Sequence, residues 1–182
     1  MAVLFRAVLY GALAIGAQIP GTSDAATSEH ATSNHCALHN LSIDPIEPGR
    51  RDIFAGVGHT VRVEFRNDSD RDPVKVFPEP PMTIHQLDTN KSCDINGGIW
   101  VRDSVFLSED EKLLVVLEFS GESNHLLAYN TGTCKRQGDI DVSDGRWSVN
   151  GSKITLGTGC TSRDITSCKK KRVFPVTKFC GS

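Results

Sequence analysis

One short stretch of the chain concentrates small polar side chains and an imidazole: Ser120, Gly121, Glu122, Ser123, Asn124 and His125. It follows the longest apolar run of the mature sequence, residues 113–117, and precedes another β-type run. Hydroxyl, amide and imidazole groups supply hydrogen-bond donors and acceptors with little bulk, and loops on rigid scaffolds often carry binding residues. We therefore predict a partner-binding loop here, with a plain hairpin connection as the alternative.

A hydrolytic site is a second possibility, because serine, histidine and aspartate are all present. However, the chain has no Gly-x-Ser-x-Gly elbow, and no histidine stands beside a candidate nucleophile in the sequence. The cysteines are expected to be oxidised, which removes them as thiolate nucleophiles. The sequence therefore predicts a binding protein, not an enzyme, and one that needs no cofactor.

Two groups of residues have the chemistry of metal ligands but not the spacing. His30, His35 and His39 surround Cys36 without matching a zinc template. A second group resembles a calcium loop, but its third aspartate is one place late and no bidentate glutamate follows. That group consists of Asp139, Asp141 and Asp144. No metal site is predicted.

The six cysteines are an even number, which predicts three disulfides in a chain that enters an oxidising compartment. They are Cys36, Cys93, Cys134, Cys160, Cys168 and Cys180. The short spacing of Cys160 and Cys168 suggests a local loop closure, and Cys36 with Cys180 would join the two ends of the domain. Sequence alone leaves the connectivity open.

The N-terminus has the pattern of a secretory signal peptide. Arg6 precedes an apolar run over residues 7–17, and small residues at Ser23 and Ala25 suggest cleavage after Ala25. We predict a signal peptide over 1–25, a flexible leader over 26–35 and one domain over 36–182. No segment approaches the length of a transmembrane helix, so the mature protein is expected to be periplasmic or secreted.

The remaining sequence alternates short β-type runs with turn signals, and it contains no helix of ordinary length. The run over 112–119 is apolar enough to be a strand buried on both faces. Asp144-Gly145 and Asn150-Gly151 are strong hairpin-turn signals. The predicted runs are 60–65, 74–77, 99–101, 104–107, 112–119, 126–130, 139–142, 146–149 and 153–156. This pattern predicts an all-β, antiparallel, incomplete β-propeller-like or sandwich-like sheet assembly cross-linked by disulfides.

The overall charge gives no reason to expect a nucleic-acid partner, since the formal net charge is −2. One basic run, Lys169-Lys170-Lys171-Arg172, stands apart. Lysines on a strand edge discourage aggregation, so an exposed strand edge or turn explains this run. The alternative is a patch that contacts an acidic partner surface.

The order of elements over residues 105–133 resembles a β-propeller blade: a strand, an acidic turn, a buried strand, the Ser-rich stretch and a strand ending in an Asn-Thr turn. This order of elements, the predicted export and the intramolecular disulfides resemble those of the periplasmic immunity proteins that protect bacteria from peptidoglycan amidase effectors of type VI secretion. The resemblance covers residues 93–160. The resemblance implies an inhibitor whose loop enters the groove of a Cys-His amidase. Ser120 and Ser123 would then lie near the catalytic pair, Gly121 would allow the turn, and Asn124 and His125 would form the rim.

A different class of function remains open, that of an extracellular carbohydrate or cell-envelope binding module. Trp100, Trp147 and Tyr129 would then form a flat aromatic platform for sugar rings. Exposure of two of these rings on one face would favour such a module. A protruding 120–125 loop beside buried rings would favour the inhibitor.

Overall fold

A computed structural model describes residues 35–69, 73–78 and 81–180. The predicted signal peptide and residues 26–34 of the predicted leader lie outside the described residues. The described part is almost entirely β-structure, which confirms the all-β, antiparallel prediction. Its strands are β1 Leu38–Asn40, β2 Asp44–Pro45, β3 Ile53–Val57, β4 Val61–Arg66, β5 Val76–Pro78, β6 Met82–Gln86, β7 Lys91–Ile95, β8 Ile99–Ser108, β9 Leu113–Ser120, β10 Ser123–Asn130, β11 Arg136–Asp141, β12 Arg146–Asn150, β13 Lys153–Cys160 and β14 Cys168–Pro175.

The strands form three antiparallel sheets. The central sheet has the order β1-β8-β9-β10-β11, with β5 also paired to β8. An N-terminal sheet has the order β2-β3-β4-β6-β7, and a C-terminal sheet has the order β12-β13-β14. Strands β8 to β11 follow one another as a meander, like the strands of a propeller blade, but the described residues close no barrel or propeller ring. Two short 3-10 turns, Ile165–Ser167 and Val176–Lys178, are the helical elements of the described chain, and neither has the length to cross a bilayer.

Strand β9 lies at the centre of the molecule and is buried on both faces, as its continuous apolar run predicts. Leu114 and Val116 pack into a core shared with the N-terminal sheet. Leu113, Val115 and Leu117 pack on the opposite face, in a core shared with the C-terminal sheet. Successive side chains of a strand point to opposite faces, so an uninterrupted apolar run is what a doubly covered strand requires.

The three disulfides are Cys36–Cys180, Cys93–Cys134 and Cys160–Cys168. The first joins the two ends of the described domain and the third closes the β13–β14 hairpin, which confirms both pairings suggested by the sequence. The remaining disulfide links strand β7 of the N-terminal sheet to the turn between β10 and β11 of the central sheet. Each sheet is therefore held by covalent as well as hydrophobic contacts.

The turn between β8 and β9 carries a buried carboxylate that also joins two sheets. Glu111 is 7% exposed, and its carboxylate accepts hydrogen bonds from the backbone N–H of His59 (2.6 Å), the backbone N–H of Thr60 (2.6 Å) and the Thr60 hydroxyl (2.7 Å). Burial by itself raises the pKa of Glu111, but these donors outweigh it and hold the pKa below its ordinary value. The β3–β4 turn of the N-terminal sheet is thus fixed to the central sheet.

One turn prediction is wrong. The hairpin predicted at Asn150-Gly151 is present: Asn150 ends β12 and pairs with Lys153, and the turn consists of Gly151, at a φ of 51°, and Ser152. Asp144-Gly145 does not close a hairpin, because β11 pairs with β10 whereas β12 pairs with β13. The dipeptide instead turns the chain from the central sheet into the C-terminal sheet. Turn chemistry specifies a local bend, and the partner of each flanking strand is chosen by the hydrophobic face that it must bury.

Candidate functional site

The predicted partner-binding loop is a tight hairpin tip, not an extended loop. Strand β9 ends at Ser120 and β10 begins at Ser123, so only Gly121 and Glu122 connect them. Gly121 has a φ of 63°, and Glu122 is outside the positive-φ region, which matches a type II′ turn. Because Asn124 and His125 are strand residues and half-buried, the 120–125 loop expectation is corrected to an exposed tip, residues 120–123, on a regular ladder.

A set of hydrogen bonds between β10 and residues 141–143, called the bracket below, fixes the base of this hairpin tip. The backbone N–H of Asn124 donates to the Ser143 hydroxyl (2.9 Å), and the backbone N–H of Val142 donates to the Asn124 carbonyl (2.8 Å). Ser143 donates its own hydroxyl to the Asp141 carboxylate (2.6 Å) and its backbone N–H to the same oxygen (2.9 Å). The Ser143 hydroxyl and N–H lower the pKa of Asp141. The bracket ties the base of the tip to the segment that follows β11.

His125 forms an ion pair at the edge of the same hairpin. Its Nδ1 lies 2.7 Å from Oδ1 of Asp139 on β11, and Arg136 approaches the other oxygen of Asp139 at 3.5 Å. The hydrogen bond that His125 donates to the Asp139 carboxylate raises the pKa of His125, and the charges of Asp139, Asp141 and Glu118 add to this effect. In the described chain, no serine or threonine hydroxyl hydrogen-bonds to the His125 ring, so the pair lacks the nucleophile of a Ser-His-Asp triad.

A shallow polar groove of about 330 Å³ continues the surface from the bracket towards the disulfide-closed β13–β14 hairpin. Carboxylates predominate around the hairpin tip itself, where Glu118, Glu122, Asp139 and Asp141 all lie within or beside β9 to β11. The groove is lined by Ser143, Asp144, Gly145, Arg146, Gly159 and Cys160. The surface offers hydrogen bonds and negative charge, not an apolar pocket.

The aromatic residues do not form a sugar-binding platform. Trp100 is fully buried and Tyr129 is 6% exposed, both in the core beneath the N-terminal sheet. Trp147 is half-buried, and its ring meets the edge of Phe106 with centroids 6.1 Å apart. Carbohydrate platforms need exposed, coplanar rings. Two of the three rings are buried and the third is half-buried, so the exposed rings expected of such a platform are not found.

The structure also accounts for the residues considered as metal ligands. His35 is exposed, His39 lies 3.9 Å from Glu109, and His30 is outside the described residues. Asp139 and Asp141 are engaged by His125 and Ser143 as described above. Across residues 35–69, 73–78 and 81–180, no three His, Cys, Asp or Glu side chains group closely enough to hold a metal ion.

Sequence reasoning did not connect Asp139, Asp141 and Ser143 with the hairpin tip, and it considered the two aspartates only as calcium ligands. All three lie on or after β11, far along the chain from the tip. The one available signal was the alternation of Asp139 and Asp141 around the apolar Ile140, which puts both carboxylates on the same face of a strand. That β11 pairs with β10 brings this face beside His125.

Comparison with known proteins assigns the chain to a class. A family model described as "Immune protein Tsi1" matches residues 36–180. A curated protein with the same description, from Pseudomonas aeruginosa strain PAO1, is 37% identical over 147 residues, which cover 80% of this chain and 85% of that protein. The chain is therefore an immunity protein.

Within that class, the chain belongs to the Tsi1 immune protein family. The predicted resemblance to immunity proteins is confirmed, and it extends beyond residues 93–160 to the whole disulfide-linked domain. An immunity protein acts on a protein partner, and three disulfides fit a protein that works in an oxidising, exported compartment.

Proposed function

We propose that this protein protects the cell that makes it by inhibiting a peptidoglycan amidase effector of type VI secretion, outside the cytoplasm and without catalysis of its own. The hairpin tip, residues 120–123, would enter the amidase active site and exclude its substrate. The single observation that carries the proposal is an exposed, bracketed tip on the surface of an immunity-family protein. The bracket of Asn124 and Ser143 supports this role because order established before binding lowers the entropic cost of association.

The dimensions and chemistry of the tip suit a narrow catalytic cleft. A two-residue turn is the smallest common hairpin connection, so the tip is no wider than two paired strands. Ser120 and Ser123 face one another as a cross-strand pair. Their hydroxyls are exposed and can each donate and accept a hydrogen bond, which matches a catalytic Cys-His pair that offers one donor and one acceptor.

The carboxylates around the hairpin tip give the partner a second property. Like-charge contacts across an interface are costly, whereas complementary potentials speed association and select the partner. We therefore expect the mouth of the inhibited amidase to carry positive charge, placed to meet Glu118, Glu122 and the Asp139–Asp141 face. Association of the immunity protein with the amidase should therefore become slower as the salt concentration is raised.

The test is the variant Ser123→Arg with Ser92→Arg as its matched control, since Ser92 is also an exposed strand serine but lies on β7. Effector and immunity protein are mixed, and hydrolysis of purified peptidoglycan is followed together with binding by calorimetry. A hot-spot contact contributes about 2 kcal/mol or more, so Ser123→Arg should weaken inhibition at least about 30-fold. Thermal unfolding of both variants should match that of the natural protein.

Unchanged inhibition by Ser123→Arg would remove the tip from the active site. Equal weakening by both variants would attribute the effect to the added charge rather than to the tip. If the partner effector cleaves glycan strands instead of amide bonds, as mass spectrometry of the released fragments would show, the amidase assignment fails while the inhibitory role stands.

A further inference from the structure

Charge is distributed unevenly along this chain. Residues 143–180, which form the C-terminal sheet and its connections, contain eight Lys and Arg but two Asp and Glu, a net charge of +6. The rest of the sequence contains 12 Lys and Arg and 20 Asp and Glu, a net charge of −8. The small overall charge therefore hides a cationic sheet attached to an acidic body.

The cations are concentrated on β14, an edge strand of the C-terminal sheet. In the described part of the chain β14 pairs with β13 on one side only. Lys169, Lys170, Lys171 and Arg172 are all exposed, and Val173 beside them is 53% exposed. An edge strand presents backbone N–H and C=O groups that can pair with another strand. The feature is thus a cationic edge with backbone hydrogen-bonding groups available along it.

The charges of these side chains are only partly balanced within the described residues: Lys171 interacts electrostatically with Asp164, but the two form no salt bridge. Lys171 donates to the Thr166 carbonyl at 3.5 Å, and the Arg172 guanidinium lies 4.5 Å from the centre of the Phe174 ring. Within the described residues, none of the cations of β14 lies at ion-pair distance from an Asp or Glu. Edge lysines ordinarily prevent pairing with strands of like or neutral charge. The same charges favour a strand of opposite charge.

We propose that the β14 edge binds an extended acidic segment of a protein partner by strand addition. Four consecutive cations on a strand point alternately to its two faces. A flat anionic surface can contact only one of those faces, whereas an added strand also alternates and sets its own carboxylates beside the cations on both faces. Main-chain hydrogen bonds would supply affinity and the paired charges would supply selectivity. This surface is separate from the hairpin tip, and the inference does not depend on it.

The probe is a short capped peptide rich in glutamate, titrated into the full mature protein and followed by backbone amide NMR. Binding should shift β14 resonances and slow amide exchange at alternate β14 residues. Two matched peptides separate the contribution of charge from that of main-chain hydrogen bonds. One has glutamine in place of each glutamate, and the other keeps the charge but is N-methylated at alternate amides. Each exposed ion pair contributes a factor of about two in affinity. With one pair at each of the four β14 cations, the peptide that carries glutamine should bind roughly 15-fold more weakly.

The double variant Lys169→Gln/Lys171→Gln should bind the acidic peptide more weakly, while Lys91→Gln/Lys112→Gln, which alters exposed lysines elsewhere, should not. Equal binding of the N-methylated peptide would overturn strand addition, because charge alone would then suffice. Binding to phosphatidylglycerol vesicles but not to the peptide would overturn it in favour of a membrane surface. Absence of any binding, or shifts confined to other strands, would also overturn the proposal.

Discussion

We expect the Glu111 carboxylate to contribute measurably to the stability of the domain. It is buried and accepts three short hydrogen bonds from His59 and Thr60 in the neighbouring sheet. Glu111→Gln replaces one acceptor oxygen with an NH₂ group that faces these donors, so at least one buried N–H or O–H loses its partner. A hydrogen bond to a charged group contributes about 1.5–3 kcal/mol, and we expect a loss of about 2–3 kcal/mol of unfolding free energy at neutral pH.

The pH dependence gives a sharper test of the same carboxylate. The folded-state pKa of Glu111 is lowered from an ordinary value of 4.5. Its contribution is therefore fully present above that ordinary value and is lost as pH falls through the lower, folded-state pKa. The difference in stability between the natural protein and Glu111→Gln should shrink in acid, because the glutamine does not titrate.

The assay is urea unfolding with the disulfides intact, above and below pH 4.5. Glu109→Gln is the matched control, because Glu109 lies in the same turn but is 61% exposed and lies 3.9 Å from His39. The control should change the free energy of unfolding by no more than about 0.5 kcal/mol. Equal effects of the two substitutions, or a difference that grows in acid, would refute the bridging role of Glu111.

Three further outcomes concern the hairpin tip and its supports. Ser143→Ala removes the acceptor of the Asn124 N–H, so hydrogen exchange at that amide should quicken roughly tenfold for a loss of about 1.4 kcal/mol, and an unchanged exchange rate would contradict the bracket. Asp139→Asn should lower the pKa of His125 towards 6.5 in an NMR titration. The pKa of His125 is higher in the folded state than in the unfolded state. The stabilisation from this pair is therefore present below the unfolded-state pKa and disappears as pH rises through the folded-state pKa. Stability that does not change with pH over this range would argue against the pair. Gly121→Val puts a β-branched residue at a φ of 63° and should cost about 1–2 kcal/mol, seen as a lower Tm, whereas Gly121→Asn should cost less; equal Tm values would contradict the strain.

Local features of the fold could be predicted because they depend on neighbouring residues. The apolar run 113–117 indicated a strand buried on both faces, and the spacing of Cys160 and Cys168 indicated a local closure. Other features could not, because they depend on distant pairing. Nothing local distinguishes the Asp144-Gly145 turn, which connects two sheets, from the Asn150-Gly151 turn, which closes a hairpin.

The sequence by itself determined that the domain is β-rich and disulfide-linked, and that residues 120–125 carry adaptable polar groups, since composition and periodicity express these properties directly. Only the tertiary structure decided that those groups form a tight tip, that Ser143 and Asp141 brace it, and that Asp139 holds His125. The contact of Asn124 with Ser143 joins residues 19 positions apart, and that of His125 with Asp139 joins residues 14 positions apart. They arise when β11 pairs with β10, and that pairing is selected by the burial of Leu126 and Ile140 in a shared core, not by any local preference of the chain.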